Sequence, residues 1–278
     1  MGTHATIQIL GRRSEKDIVL SYIKNGFKEM KRIENLLSHY YFKSEVFILN
    51  RDGFLDKPSA DLLFLLGKSK YFFTLSNGLF DVTIQPLLES PNRNINLSTK
   101  LSEMQNIIGF NNVEFDQSKV VFKKRGMKIT LGGIAKGYAV DRVIEFLKNM
   151  EVKNALVDIG GDIKALSDEH TWTVGVRNPF RKEEIITKVK IGNQAIATSG
   201  NYERLHILRP DGLSIEVASA TVITKNAVDA DALATIGVLM GKEFLHLAEN
   251  LPNTEALLVM NSGEILRTSG FSCFEQHP

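Results

Sequence analysis

Cysteine is almost missing from this 278-residue chain: Cys273 stands alone, which excludes an internal disulfide framework and any zinc site built from several thiolates. Long hydrophobic runs are missing as well. No apolar stretch nears the roughly 18 residues needed to span a bilayer, so no transmembrane segment is expected. Charge of neither sign is in excess, with 34 Lys and Arg against 32 Asp and Glu and a formal net charge of +2. No basic run interleaves with aromatics, and no nucleic-acid partner is expected. The six histidines show no metal-ligand spacing and no HExxH pattern. The start, "MGTHATIQIL", reads as a strand and has neither the charged nor the apolar region of a signal peptide. Two localisations follow: cytoplasmic, or periplasmic and envelope-associated if an export segment was removed ahead of Met1.

What is present is an ordinary globular composition, 43% hydrophobic, with mixed helix and strand signals. A strand near Ala5 to Leu10 leads to Ser14, an N-cap candidate with Asp17 three residues on. Apolar positions from Ile18 to Leu37 then recur at the helical period. A second helix is predicted from Pro58 and Ser59 through "ADLLFLLGKSKYFFTLS" to Asn77 and Gly78. Short strands follow from Lys119: "KVVFKK", "NALVDI", "WTVGVRN", "ITKVKIG" and "QAIATSG". "EVASATVIT" reads as a longer strand and "ADALATIGVLMG" as a helix ending at Gly241. Strands over Ala256 to Met260 and Ile265 to Arg267 close the chain. The elements interleave too tightly for a boundary, so the expectation is one α+β domain over residues 1–278, with mixed sheets, flanking helices and room for two lobes around a cleft.

Five motifs carry candidate chemistry. In "TLGGIAKGYAVDRVIEFLK" two glycines precede an amphipathic helix with Lys136 in its first turn. It is not a Walker loop, because the lysine precedes Gly137 and no Ser or Thr follows it. Free N–H groups at a helix start suit an anion, and glycines let it approach; the plainer alternative is a tight turn with a solvated lysine. In "ALVDIGGDI", Asp158 interrupts an apolar strand, either at an exposed position or pointing into a site. In "DADALATIGVLMG", Asp231 and Thr235 are four apart and share a helix face. These hard oxygens suit Mg²⁺ with waters and phosphate oxygens completing the shell; the alternative is a helix-favouring acid and a filler threonine. As a helix-surface acid, Asp231 is expected to contribute no more than about 1 kcal/mol to stability. "NGLFDVTIQPLL" places Asp81 and Thr83 around Val82 beside a turn, and His206 stands alone in a strand-like stretch, more simply read as structural.

The joint order of "LLSHYYFKSEVFILN", "NGLFDVTIQPLL", "TLGGIAKGYAVD", "ALVDIGGDI", "AIATSGNYER", "HILRPDG" and "ASATVITKNAVDADALAT" resembles the ApbE family of flavin transferases over nearly the whole chain. The resemblance implies a glycine turn against the pyrophosphate of FAD and a Mg²⁺ site formed by Gly133, Asp231 and Thr235. It implies flavin and adenosine contacts at Met1, Tyr40, Phe80, Asp81, Val82, Lys136, Asp158 and His206. It further implies transfer of FMN from the substrate FAD to a threonine of a partner flavoprotein, with AMP leaving and either Asp231 or His206 accepting the hydroxyl proton. Two other functions use the same residues: hydrolysis of FAD by water to FMN and AMP, and non-catalytic flavin carriage. Replacing Lys136 by Met is expected to weaken flavin binding or slow transfer about tenfold while leaving thermal stability nearly unchanged.

The chain departs from the family pattern in three places. Thr130 stands where an Asp usually precedes "LGG"; "HILRPDG" is one residue shorter than the usual stretch, with Arg209 near an Asp position; and the region after "QPLLESPNRN" is shortened.

Overall fold

Short, mostly apolar runs separated by Gly, Asn and Pro in the C-terminal half form a wide antiparallel sheet. In the computed structural model, which describes residues 2–90, 97–181, 183–200 and 207–276, the strands are β1 (Ala5–Ile9), β2 (Phe54–Asp56), β3 (Val113–Phe115), β4 (Lys119–Phe122), β5 (Ala155–Ile159), β6 (Asp162–Leu166), β7 (Trp172–Arg177), β8 (Ile185–Ile191), β9 (Ala195–Gly200), β10 (Val217–Thr224), β11 (Glu255–Met260) and β12 (Ile265–Arg267). Seven of them form the main sheet in the order β1-β5-β6-β9-β10-β11-β12. Its neighbours are antiparallel throughout. β2, β4 and β3 make a small second sheet, and β7 and β8 pair as a separate ribbon.

The main sheet separates two apolar cores. Val157, Ile159, Ala220, Val222, Ala256 and Leu258 face the helices. Their strand neighbours Leu156, Ile223, Leu257 and Val259 face Trp172, Val176, Val189 and Phe271 on the other side. This is the two-faced alternation of a sheet covered on both sides. Every residue of β10 is buried, as for a central strand.

The helices are α1 (Lys16–Leu37), α2 (Glu45–Asp52), α3 (Ala60–Leu75), α4 (Gln85–Glu89), α5 (Leu97–Met104), α6 (Ala135–Asn149), α7 (Ala227–Met240) and α8 (Glu243–Glu249). The expected cap of α3 is present: Ser59 Oγ accepts from Leu62 N at 3.1 Å. The expected cap at Ser14 is not. A 3₁₀ turn occupies Arg13–Glu15, and α1 starts at Lys16. Glu15 instead folds back to accept from Arg12 N at 2.9 Å. α2, α4, α5, α8, β2, β3 and β6 are additional to the elements read from the sequence.

α7 is the pivot of the fold. Its alanines and Gly237 let it lie directly on β10; a Cβ at Gly237 would meet the Ala220 methyl at 2.9 Å. α6 crosses α7 just as closely, through Gly137. Burial of α7 between sheet and helix explains its nearly all-round apolar sequence. Among the described residues no helix is long and apolar enough to cross a membrane.

Candidate functional site

The two-residue turn at Gly160 and Gly161 decides which acid reaches the interior. Their φ values of 64° and 93° are those of a tight hairpin turn, cheap only for glycine. The turn pairs Ile159 with Asp162 across the hairpin. Directly paired residues share a face, and Ile159 packs in the helix-side core. Asp162 therefore points at the helices, and Asp158, one residue before Ile159, points to the opposite face.

Asp162 is 1% exposed, and its partner is Lys136 from the first turn of α6. The Lys136 ammonium also lies 3.0 Å from Asp231 Oδ1, on α7. The other oxygen of Asp231 accepts from Gly137 N at 2.9 Å. Two buried carboxylates thus share one ammonium. Burial disfavours the Lys136 charge, yet Asp162 and Asp231 outweigh that and hold its pKa above the ordinary lysine value. Burial, and then the Asp231 carboxylate, push the Asp162 carboxyl well up, with Lys136 opposing.

Two sequence expectations are corrected here. Asp231 is not a helix-surface acid, since it is only 1% exposed. The small residues of α6 and α7 bring the helices so close that the fifth residue of α7 is enclosed between them. Nor is Lys136 a free cation at a phosphate site: it joins the helices to the sheet, and a stability-neutral Lys136→Met is no longer expected. The α6 N-terminus is likewise partly used. Asp231 takes Gly137 N, and Leu131 O accepts from Ile134 and Ala135 N at 3.1 and 2.8 Å. A protein carboxylate already occupies part of the anion-attracting end.

Thr235 follows one turn after Asp231. Its Oγ1 lies 3.2 Å from Ser199 Oγ on β9, a hydroxyl within "AIATSGNYER" to which the sequence reading gave no role. A Cβ placed on Gly133 would sit 3.3 Å from both Thr235 Oγ1 and the Phe80 ring. The structure therefore brings Gly133, Lys136, Asp231, Thr235 and Phe80 together. Val82 is tied to the same turn, its carbonyl accepting from Thr130 N at 2.8 Å. Asp81 is buried and caps the next turn, accepting from Thr83 N at 2.8 Å and Thr83 Oγ1 at 2.6 Å; burial raises its pKa, opposed by those bonds. Tyr40 projects from the turn after α1 and is 84% exposed. His39 beside it lies 3.4 Å from Thr130 Oγ1 by its Nδ1, which sets this aromatic turn next to the glycine turn. Burial lowers the His39 pKa.

Asp158 is not brought to this cluster. It accepts from Gly161 N at 2.8 Å on the far face, and burial raises its carboxyl. Met1 and His206 lie outside the described residues. Arg209, the departure in "HILRPDG", is fully engaged: it pairs with Asp211 at 2.6 Å and donates to Leu239 O at 2.7 Å, near the end of α7.

The beginning of α7 is held too. Asp141 accepts from Ala227 N at 3.0 Å and Val228 N at 2.9 Å, and pairs with Lys164 at 2.6 Å. Asn226, the N-cap by position, makes no such side-chain bond. Asp141→Ala should lower stability by about 1–2 kcal/mol, as for a lost N-cap carboxylate. A urea midpoint unchanged from the parent would show that α7 does not depend on this cap.

The donor set fits a hard divalent cation. Asp231 offers carboxylate oxygens and the hydroxyls of Thr235 and Ser199 lie close by, all hard donors, with the Gly133 turn alongside. Among the described residues no three His, Cys, Asp or Glu side chains are grouped to hold a metal by themselves. Waters or phosphate oxygens would complete such a shell.

The antiparallel sheet under a helix-held acid–lysine–acid cluster defines an α+β protein with one built polar centre at a glycine turn. The chain belongs to the ApbE family, whose model matches residues 1–258. It is 28% identical over 273 residues to the FAD:protein FMN transferase of Klebsiella pneumoniae, covering 87% of this chain and 83% of that protein. The corresponding transferase of Haemophilus influenzae is 26% identical, over 89% of this chain and 80% of its own length. The ApbE protein of Thermotoga maritima superposes with a TM-score of 0.87 at 30% identity, over 99% of this chain and 97% of that one.

Proposed function

We propose that this protein is a Mg²⁺-dependent FAD:protein FMN transferase. The observation that carries the reading is the buried Asp231, held between Gly137 N and Lys136 with Thr235 one turn on, beside the glycine turn. The names of the relatives support the same substrate.

FAD is the substrate. Its pyrophosphate would lie along Gly132 and Gly133, where the backbone carries no side chain, and its ring system would meet Phe80 and the exposed ring of Tyr40. The threonine hydroxyl of an acceptor flavoprotein attacks the FMN-side phosphorus. The new O–P bond forms as the bridging P–O bond breaks, and AMP leaves with that electron pair. Mg²⁺ held by Asp231, Thr235 and Gly133 would supply charge neutralisation along the pyrophosphate.

The chain's own groups supply the rest. Lys136, held by Asp162 and Asp231, would hold Asp231 in place beside the glycine turn. Both oxygens of Asp231 are already hydrogen-bonded, so taking the threonine proton would cost Asp231 one of those bonds; His206, the other candidate acceptor from the sequence, lies outside the described residues.

Incubation with FAD, Mg²⁺ and an acceptor flavoprotein tests the reading. Covalent flavin on the acceptor, seen by in-gel fluorescence, is the expected product together with AMP. Free FMN and AMP without covalent flavin would make the protein a FAD hydrolase, and unchanged FAD would make it a carrier; either would overturn the transferase reading.

A further inference from the structure

Asp231 has two oxygens, and both are in use. Oδ2 belongs to Gly137 N, a backbone group fixed by the helix crossing. Oδ1 belongs to the Lys136 ammonium at 3.0 Å. A cation approaching Asp231 must therefore take Oδ1 from a lysine that is already there. Ordinarily such a displaced ammonium, on a side chain only 28% exposed, would lose its carboxylate partner and have to be rehydrated. Here it has another partner, because Asp162 contacts the same Nζ and is itself almost fully buried.

Rigid elements set this geometry. Lys136 springs from the first turn of α6, Asp162 from the residue just after the Gly160–Gly161 turn, and Asp231 from α7. A second ionic bridge links the same three elements with the charges exchanged, Asp141 of α6 meeting Lys164 of β6 and the N–H groups of α7. Lys136 can thus change partners by a side-chain movement, without any shift of backbone.

We infer that Lys136 is a built-in counter-cation of the Asp231 site and that Asp162 is the seat to which its ammonium withdraws when a divalent cation binds. The inference rests on the reading of Asp231 and Thr235 as cation ligands and assigns to Asp162 a positioning role. Lys136 holds the empty site together and opposes the metal; Asp162 lowers that opposition. The two residues touch each other, yet their removal shifts cation affinity in opposite directions.

Mn²⁺ uptake by the full chain, followed by electron paramagnetic resonance and competed with Mg²⁺, reads the affinity without any turnover. Lys136→Met should bind the cation on the order of tenfold more tightly than the parent. Its melting temperature should fall by about 10 °C without metal and recover with excess Mg²⁺. Asp162→Asn should bind on the order of tenfold more weakly, because the ammonium then stays on Asp231. If Lys136→Met folds poorly, recovery in Mg²⁺ is still required, and its absence counts against the inference. Parent-like affinity in both variants, or a shift of the same sign in both, overturns it while leaving the metal site standing. No uptake by the parent protein, or undiminished uptake by Asp231→Asn, overturns the metal site itself and the inference with it.

Discussion

Gly137→Ala should destabilise the protein by about 3 kcal/mol or more, although alanine is ordinarily better than glycine inside a helix by about 1 kcal/mol. The added methyl would lie 2.1 Å from the Ala227 carbonyl oxygen, 2.6 Å from its carbon and 2.8 Å from Asp231 Cβ. Two of those atoms are backbone at the first turn of α7, so no rotamer change relieves the contact. The helices must separate, and the Gly137 N to Asp231 hydrogen bond opens with them. Displacement of the ligand helix by even 1 Å should lower flavin transfer on the order of a hundredfold. Urea unfolding and initial transfer rates on the same preparation read both effects. An unaltered midpoint would mean that α6 and α7 do not cross as closely as the structure has them.

Asp231→Asn should reduce Mg²⁺-dependent transfer on the order of a thousandfold, the counterpart of about 4 kcal/mol of lost charge stabilisation. The amide keeps the shape of the side chain and can still accept from Gly137 N, so folding should suffer less than catalysis. Asp231→Ala adds a structural loss. It leaves Gly137 N–H buried without an acceptor, a cost of about 1–3 kcal/mol, while Lys136 retains Asp162. Comparing the two variants separates ligand from scaffold: similar melting temperatures with a shared loss of rate would show that Asp231 has little part in holding α6 to α7. Full activity of Asp231→Asn at limiting Mg²⁺ would remove the residue from the cation site.

Much of this site was legible in the sequence because its parts are local. The spacing of Asp231 and Thr235 needs only a helix to put them on one face, and the paired glycines before Lys136 need only a turn. What escaped was set by tertiary parity. Asp158 stands out in the sequence because it interrupts an apolar strand, whereas Asp162 follows two glycines and looks like part of a loop. The pairing of Ile159 with Asp162 reverses their importance to the cluster, and that register depends on the turn geometry. The burial of Asp231 was hidden for a related reason. Asp231, one of two acids at the start of an alanine-rich helix, reads as a surface residue until Gly137 and Gly237 are seen to admit neighbours on both sides. Asp141 gave no local sign of its task, because the helix end that it caps lies far along the chain. The fold class was easier: short apolar runs such as β5, β9, β10 and β11, bounded by Gly, Asn and Pro, read as strands whatever sheet they join, whereas the sheet order depends on which edges meet.

The cluster also has a consequence for how ligands act on the molecule. Lys136, Asp162, Ser199 and Asp231 come from four separate elements that meet only when β6, β9 and β10 lie side by side with α6 and α7 docked on them. The α6–α7 pair alone carries Lys136 and Asp231 but lacks Asp162 and Ser199, which the sheet supplies. On the proposed function, cation and flavin would consequently recognise the assembled chain, and their binding energy would add to the cost of global opening as RT ln(1 + [L]/Kd). Hydrogen exchange of the β10 and α7 amides should slow with rising ligand concentration, whereas amides in the exposed first turn of α1 should keep their rates.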